Sequence, residues 1–467
     1  MIMKKIMFFA SILCLGVWFT GCTDDIVIDN VDAEAYGNVQ NTIVSIKDGK
    51  TMKSEVIVDM YADTSMNSIV AVLSKAGDSA TEVKVEYDAL YAEEYNAAHG
   101  TSFNLYPQEK VGMAGDGSIT VPAGAIKSPG IALTLQPFDD TLEETYILPV
   151  KVTATSGSAA VSETSHLVYL VKNRSGQSRP RHADKKVIVW IEVNNTNPLN
   201  MLQFEDEEGN LLIDYVVLFA YNINYNREKG EIYVFSNPQC QYVLDHYDEM
   251  IKPLRDRGIK VIISILGNHD ESGLAQLSDL GAREFAQKVA AMCNSYGFDG
   301  VNFDDEYSNS PDLSNPLFTR RSYAAGNRLY YETKKLLPDK EMVSYQYGAA
   351  VGNAPVDGVD PSEYMDIFNG DYGYAAEPYG NSTLSMCSYQ SSEFAQWRYI
   401  PTESTVSKFV NSDYGFWMVF SLWNNQGVKR DWDAMNVLSE GMHGVSLKKP
   451  EYYYPETKSF ATNPITW

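Results

Sequence analysis

The 467-residue sequence predicts a multidomain protein, an all-β sandwich module followed by an α/β unit of the (β/α)8, TIM-type barrel class. Three observations predict it. The chain is too long for one ordinary domain and has ample core for two. Residues 26–172 hold short β-rich runs separated by turn residues, at the spacing of a sandwich. After about residue 185, strand-like runs alternate with helical ones, the pattern of a parallel sheet.

In the first unit the β-rich runs are 54–59, 68–73, 82–87, 131–135, 147–152 and 166–171, and one helix-like piece, 88–99, interrupts them. Nothing in this module points to catalysis, which leaves it a spacer or an accessory binding module. Residues 173–185 are polar and basic and read as an interdomain linker. From 186 to 467 the strand candidates are 187–193, 215–221, 260–266, 300–306, 342–346, 365–369, 384–389 and 416–423. These eight runs fit the barrel class. Helices are clearest at 241–257, 282–296 and 321–337, whereas 347–364 is too rich in Gly and Pro for a full helix.

The formal net charge of −24 argues against nucleic acid and anionic membrane surfaces as partners. It suits a soluble, exposed protein acting on neutral ligands, and a monomeric state is expected. Cys240, Cys293 and Cys387 are widely spaced without a metal-ligand pattern, and no nucleotide-binding glycine motif is present, so neither metal nor cofactor is expected. Lys4 and Lys5 precede an apolar run, 6–19, that is too short to span a bilayer. With Thr20-Gly21-Cys22 it reads as a secretory signal over 1–22, leaving 23–172 for the sandwich module. Cys22 after a small residue resembles a bacterial lipobox, and Asp24-Asp25 resembles the export signal of Bacteroides-like surface lipoproteins. That resemblance implies an acylated Cys22 inserted in outer-membrane lipid and a surface location; plain secretion is the alternative.

The most informative stretch is Asp299-Gly300-Val301-Asn302-Phe303-Asp304-Asp305-Glu306-Tyr307. As a strand, it places Asn302, Asp304 and Glu306 on one face, with the two carboxylates roughly 6–7 Å apart. Burying such groups is costly unless they are paired or used, and perturbed carboxylates in a cleft are acid/base candidates. Carboxylates on one strand lie on the same side of a sugar, which excludes the usual two-sided arrangement. They suffice when the substrate brings its own nucleophile, a 2-acetamido carbonyl. Glu306 then protonates the leaving oxygen, and Asp304 holds the acetamido group. Asp305 faces the helix layer as a structural residue, Asp299 reads as a turn or cap, and a metal site over 304–306 has poor geometry.

This stretch resembles the Asp-Gly-x-Asp-x-Asp-x-Glu motif of family 18 glycoside hydrolases, in the version found in bacterial endo-β-N-acetylglucosaminidases. The segments 217–225 and 258–269 resemble that subfamily's second and third strands. The resemblance implies cleavage of the chitobiose core of N-glycans, of the high-mannose or hybrid class; a chitinase-like hydrolase or a non-catalytic glycan-binding protein is the alternative. It implies that Asn369 and Tyr372, after strand six, contact the acetamido group, with the tyrosine position shared between Asp371 and Tyr372. Tyr221, Asn222 and Asn224 after strand two, Asn268 and His269 after strand three, and Trp423 and Asn424 after strand eight are expected to line a glycan cleft. One departure stands out. Asn302 occupies a position where most members carry an aspartate that pairs with the residue at Asp304, so Asp304 is expected to be more persistently ionised.

Overall fold

A computed structural model describes residues 42–156, 159–162, 166–177, 184–422, 428–459 and 463–466. Two sheets form the first unit. One joins Ile43–Asp48, Ser65–Leu73, Ile131–Leu135 and two short strands; the other joins Glu55–Met60, His166–Asn173, Thr145–Thr155, Thr81–Tyr87 and Ser118–Val121. Their inward residues, among them Val44, Ile46, Ile69, Leu133, Val85, Leu148 and Tyr169, make one shared core. Period-two alternation explains each strand: Ile43–Asp48 buries every second residue, Val44, Ile46 and Asp48. The helix Tyr91–His99 ends at Gly100, whose φ of 65° supplies the left-handed cap.

The second unit is a near-closed ring of eight parallel strands among the described residues. In chain order these are Lys186–Glu192, Tyr215–Asn226, Lys260–Leu266, Gly300–Asp304, Glu341–Tyr345, Ile367–Asn369, Ser388–Glu393 and Phe416–Phe420. Strand one pairs with strand eight, and the gap between strands six and seven carries a single parallel bridge, Phe368 to Cys387. Alternate residues build two cores. Ile188, Trp190, Tyr215, Val217, Ile262, Val343, Ile367, Phe416 and Met418 fill the barrel. Their neighbours Val189, Val216, Ile263 and Phe303 pack beneath the helices with Phe285, Val289 and Leu329.

Three departures from the sequence reading have physical causes. The helix expected over 241–257 is three short ones, Pro238–Asp245, Tyr247–Met250 and Lys252–Asp256; the second break, at Ile251, precedes Pro253, which has no N–H for the preceding turn, and the first is at His246, whose backbone leaves the helical region. Strand seven lies at Ser388–Glu393, not 384–389; Ser388, Ser391 and Ser392 are all fully buried, and a hydrophobic pattern does not see them. Strand four stops at Asp304, two residues short of Glu306.

The first unit docks on the N-terminal ends of the barrel strands. Asp299, one residue before strand four, accepts from Arg174 Nη2 at 2.8 Å, Arg255 Nε at 3.2 Å and the Val261 N–H at 3.0 Å. Asp299 is therefore an ion-pair hub and not the turn or cap residue expected. Arg174 is 2 % exposed and also binds Asp59 at 3.1 Å, which corrects its reading as part of a solvated linker. Lys260 at the foot of strand three binds Asp59 of the first unit, Lys53 binds Asp366 below strand six, and Lys47 binds Glu363 at 2.6 Å. Burial would raise the pKa of Asp299, but the Arg255 and Arg174 guanidiniums outweigh it and hold the carboxyl well below its usual range. Breaking a buried pair strands the partner charge, so Arg174→Ala is expected to destabilise the full chain by about 3–5 kcal/mol. Urea unfolding measures this, and a loss below about 1 kcal/mol, the range of an exposed pair, would contradict the assignment.

Candidate active site

At the opposite, C-terminal end of the strands lies a cluster of carboxyl groups. Asp304 is the last residue of strand four and is buried; its Oδ1 has no hydrogen-bond partner among the described residues. Glu306 comes next in a turn, its N–H donating to the Asp304 carbonyl at 3.0 Å, and is half-buried. The turn, not strand alternation, brings Glu306 beside Asp304. Burial pushes Asp304 well above the usual carboxylate range, and the nearby charges of Glu306, Asp305 and Asp371 add to it. Glu306 is also raised, first by burial, against an opposing hydrogen bond from Tyr307. A raised pKa keeps the proton of a general acid in place toward neutral pH.

Asn302 does not face its amide to Asp304. Its Oδ1 accepts from Ser264 Oγ at 2.7 Å, and its Nδ2 donates to the Val343 carbonyl at 2.9 Å. The side chain is a cross-strand clamp between strands three, four and five. Burial, with like charges around it, shifts Asp304 toward its protonated form, the reverse of the persistent ionisation expected from the sequence. Behind strand four, Tyr330 Oη accepts from the Phe303 N–H at 3.0 Å and donates to the Val343 carbonyl at 2.9 Å, bracing the same backbone.

The loop after strand six completes the cluster. Asn369 is fully buried on the barrel's inner face; its Nδ2 donates to the Ser344 carbonyl at 3.1 Å, and its Oδ1 has no partner among the described residues. Tyr345 Oη donates to Asp371 Oδ1 at 2.6 Å, and the Tyr372 N–H donates to the same oxygen at 2.7 Å. Tyr372 packs its ring against Tyr345 and Phe420, with centroids 6.0 and 5.7 Å apart, in the barrel's interior cluster. Sequence reasoning missed Tyr345 as a site residue, and named Asp371 only as the alternative to Tyr372 and not as the acceptor of both tyrosines. The signal available was parity, since Tyr345 falls on the same inward face of strand five as Val343.

Strand two holds a correction. A register shift between Leu218 and Tyr221 inserts a bulge that reverses the facing of the residues beyond it. Tyr221 is fully buried in the layer beneath the helices beside Cys240, and so cannot line a cleft as expected. Asn222 and Asn224 belong to the strand ends: Asn222 Nδ2 donates to the Gly267 carbonyl at 3.2 Å, and Asn224 Oδ1 accepts from Asn268 Nδ2 at 2.9 Å. Asn224 Nδ2 donates to Asp270 at 3.2 Å. His269 is exposed, with φ 56°, and its ring lies 5.4 Å from that of Tyr307, which has φ 55°. Asp305 turns to the helix side, where Arg321 Nε donates to it at 2.7 Å and the Ala349 N–H at 2.9 Å. Trp423, Asn424 and Cys22 lie outside the described residues.

A parallel barrel whose C-terminal rim brings together Asp304 and Glu306, two carboxyl groups with raised pKa values, has a layout suited to the acid/base chemistry of a glycoside hydrolase. A family model described as an N-terminal domain matches residues 36–159. Endo-β-N-acetylglucosaminidase F1 of Elizabethkingia meningoseptica is 37% identical over 293 residues, 61% of this chain and 86% of that protein. An endo-β-N-acetylglucosaminidase of Flavobacterium sp. is 39% identical over 130 residues, 28% of this chain and 41% of that protein. Among solved structures, Bacteroides thetaiotamicron EndoBT-3987 with Man5GlcNAc product superposes with a TM-score of 0.83 at 39% identity, covering 90% of this chain and 99% of that one. The same protein with Man9GlcNAc2Asn substrate gives a TM-score of 0.77. The chain belongs to the endo-β-N-acetylglucosaminidase family, of the family 18 glycoside hydrolase type.

The Asn302 clamp yields a prediction. In Asn302→Asp only the protonated acid can still donate to the Val343 carbonyl, so the folded-state pKa must lie above the unfolded value of about 3.9. A group with a raised folded pKa loses its native contribution as pH rises. The stability deficit of the variant is therefore expected to be larger at about pH 8 than at about pH 4. Thermal melts of both proteins at the two pH values decide it; an equal deficit would remove the clamp.

Proposed function

We propose that this enzyme hydrolyses the β1,4 bond between the two core N-acetylglucosamines of high-mannose N-glycans, with retention and with the substrate's acetamido group as nucleophile. One observation carries the mechanism: the candidate acid Glu306 and the open oxygen of Asp304 belong to one strand end, with raised pKa values. The high-mannose substrate is supported by the glycans bound to EndoBT-3987.

Glu306 donates its proton to the leaving O4 as the glycosidic C1–O4 bond breaks. The acetamido carbonyl oxygen forms the new bond to C1 from the other face, giving an oxazolinium ion. Asp304 Oδ1 accepts the acetamido N–H and orients the group, while the negative neighbours of the site favour the developing cation. Asn369 Oδ1 is a second open acceptor, and Tyr372 a donor from the loop after strand six. Water then adds to C1, its proton returns to Glu306, and the oxazoline C–O bond opens to restore the acetamide. Asn222, Asn224, Asn268, His269, Trp423 and Asn424 supply the surrounding glycan contacts in this reading.

Glu306→Gln is expected to lower turnover by about 10²-fold or more while the glycan still binds. Mass analysis of the product from a high-mannose glycoprotein tests the bond assignment: the released glycan should keep one reducing-end N-acetylglucosamine. Release of chitin oligomers alone, or full-speed cleavage of substrates lacking the acetamido group, would defeat the proposal.

The signal-like segment 1–22 supports a further proposal, that acylated Cys22 holds the enzyme in the outer membrane as a surface lipoprotein. Cys22→Ser should move the protein from the membrane fraction to the soluble one; unchanged membrane recovery would reject it.

A further inference from the structure

We infer that Tyr399 is a stacking platform for a sugar of the glycan outside the reacting N-acetylglucosamine, and hence a specificity-determining residue; this rests on the glycan hydrolysis proposed above. After strand seven the chain doubles back. Glu393 N–H donates to the Arg398 carbonyl at 3.0 Å, Arg398 N–H returns a bond to the Glu393 carbonyl at 2.8 Å, and the Glu393 carboxylate accepts from the Gln396 N–H. Two bulky aromatic residues leave this turn in the left-handed backbone region, Trp397 at φ 58° and Tyr399 at φ 54°. Such backbone is disfavoured for bulky residues and persists only where the surroundings over-determine it. At Tyr399 they do: its carbonyl accepts from both Ser392 Oγ at 2.7 Å and Gln390 Nε2 at 2.6 Å.

The two rings have different fates. Trp397 has the Arg430 guanidinium over its face at 3.9 Å and the Phe394 ring at its edge, so it braces the turn. Tyr399 stays 51% exposed. Its ring lies against Gly373, where an added Cβ would come 2.5 Å from Cε1 and 2.7 Å from Cδ1. Gly373 comes directly after Asp371 and Tyr372, and its N–H donates to the Ser391 carbonyl at 2.8 Å. The glycine thus seats an open aromatic surface on the loop whose Asp371 reaches the charges of Asp304 and Glu306. Neutral pyranose rings present apolar C–H faces that pack on such a surface, and Tyr offers this contact area with few rotatable bonds.

The test uses the full chain in the Glu306→Gln background and calorimetric titration with a high-mannose glycopeptide. Tyr399→Ala is expected to weaken binding about ten-fold, whereas Tyr399→Phe, which keeps the ring, should stay within about two-fold. In the active enzyme Tyr399→Ala should raise KM and leave kcat near that of the parent. Binding by Tyr399→Ala equal to the parent, or a loss in Tyr399→Phe as large as in Tyr399→Ala, would overturn the inference alone. A Glu306→Gln parent that binds no glycopeptide would overturn the glycan reading itself.

Discussion

The ion pair between Arg174 and Asp299 sits at the foot of strand four, and the acid/base cluster sits at the head of the same strand. Only five residues, Gly300–Asp304, span the distance between them. The foot is fixed by a guanidinium from the first unit and another from the helix layer, so the backbone that presents Asp304 starts from a point held by both units. Buried charges tolerate little displacement, because any gap leaves a desolvated ion without its partner. The first unit is thereby a fixed base under the barrel, with its contacts at the starts of strands three, four and six.

Above that base, polar clamps replace apolar packing inside the barrel. Ser264, Asn302 and the Val343 carbonyl form one chain across three strands, and Tyr330 secures the middle strand from behind. The clamp consumes the amide of Asn302, and Asp304 and Asn369 each carry an oxygen that no neighbour among the described residues satisfies. Unsatisfied buried acceptors are costly in a folded protein and call for an explanation, such as a ligand that they receive. Their placement on strands four and six, on the inner face, directs both toward the same axial space.

Much of the architecture is legible in the sequence. The order of the eight strands comes from strongly apolar runs such as 260–266, and the inward facing of Asn302 and Asp304 from period-two spacing, whereas Glu306 lies past the end of the strand and owes its place to a turn. Strand seven escapes such a reading because its burial is achieved by serines whose hydroxyls pair with Gly370 and Trp417, a tertiary arrangement with no local hydrophobic signature. Asp299 resembles a turn residue because its two arginine partners are 125 and 44 positions away. Asp371 and Tyr345 likewise depend on a contact between two strand ends, 26 residues apart.

The bulge in strand two acts as a phase slip. On its near side odd-numbered residues such as Tyr215 and Val217 point to the axis; on its far side Tyr221 and Ile223 point away from it. One inserted residue thus lets a single strand serve as oily wall below and hydrophilic rim above, without breaking its pairing to strand three. A relative that lost the insertion would carry the same letters with their destinations exchanged, so comparison of residues here must track facing and not mere alignment.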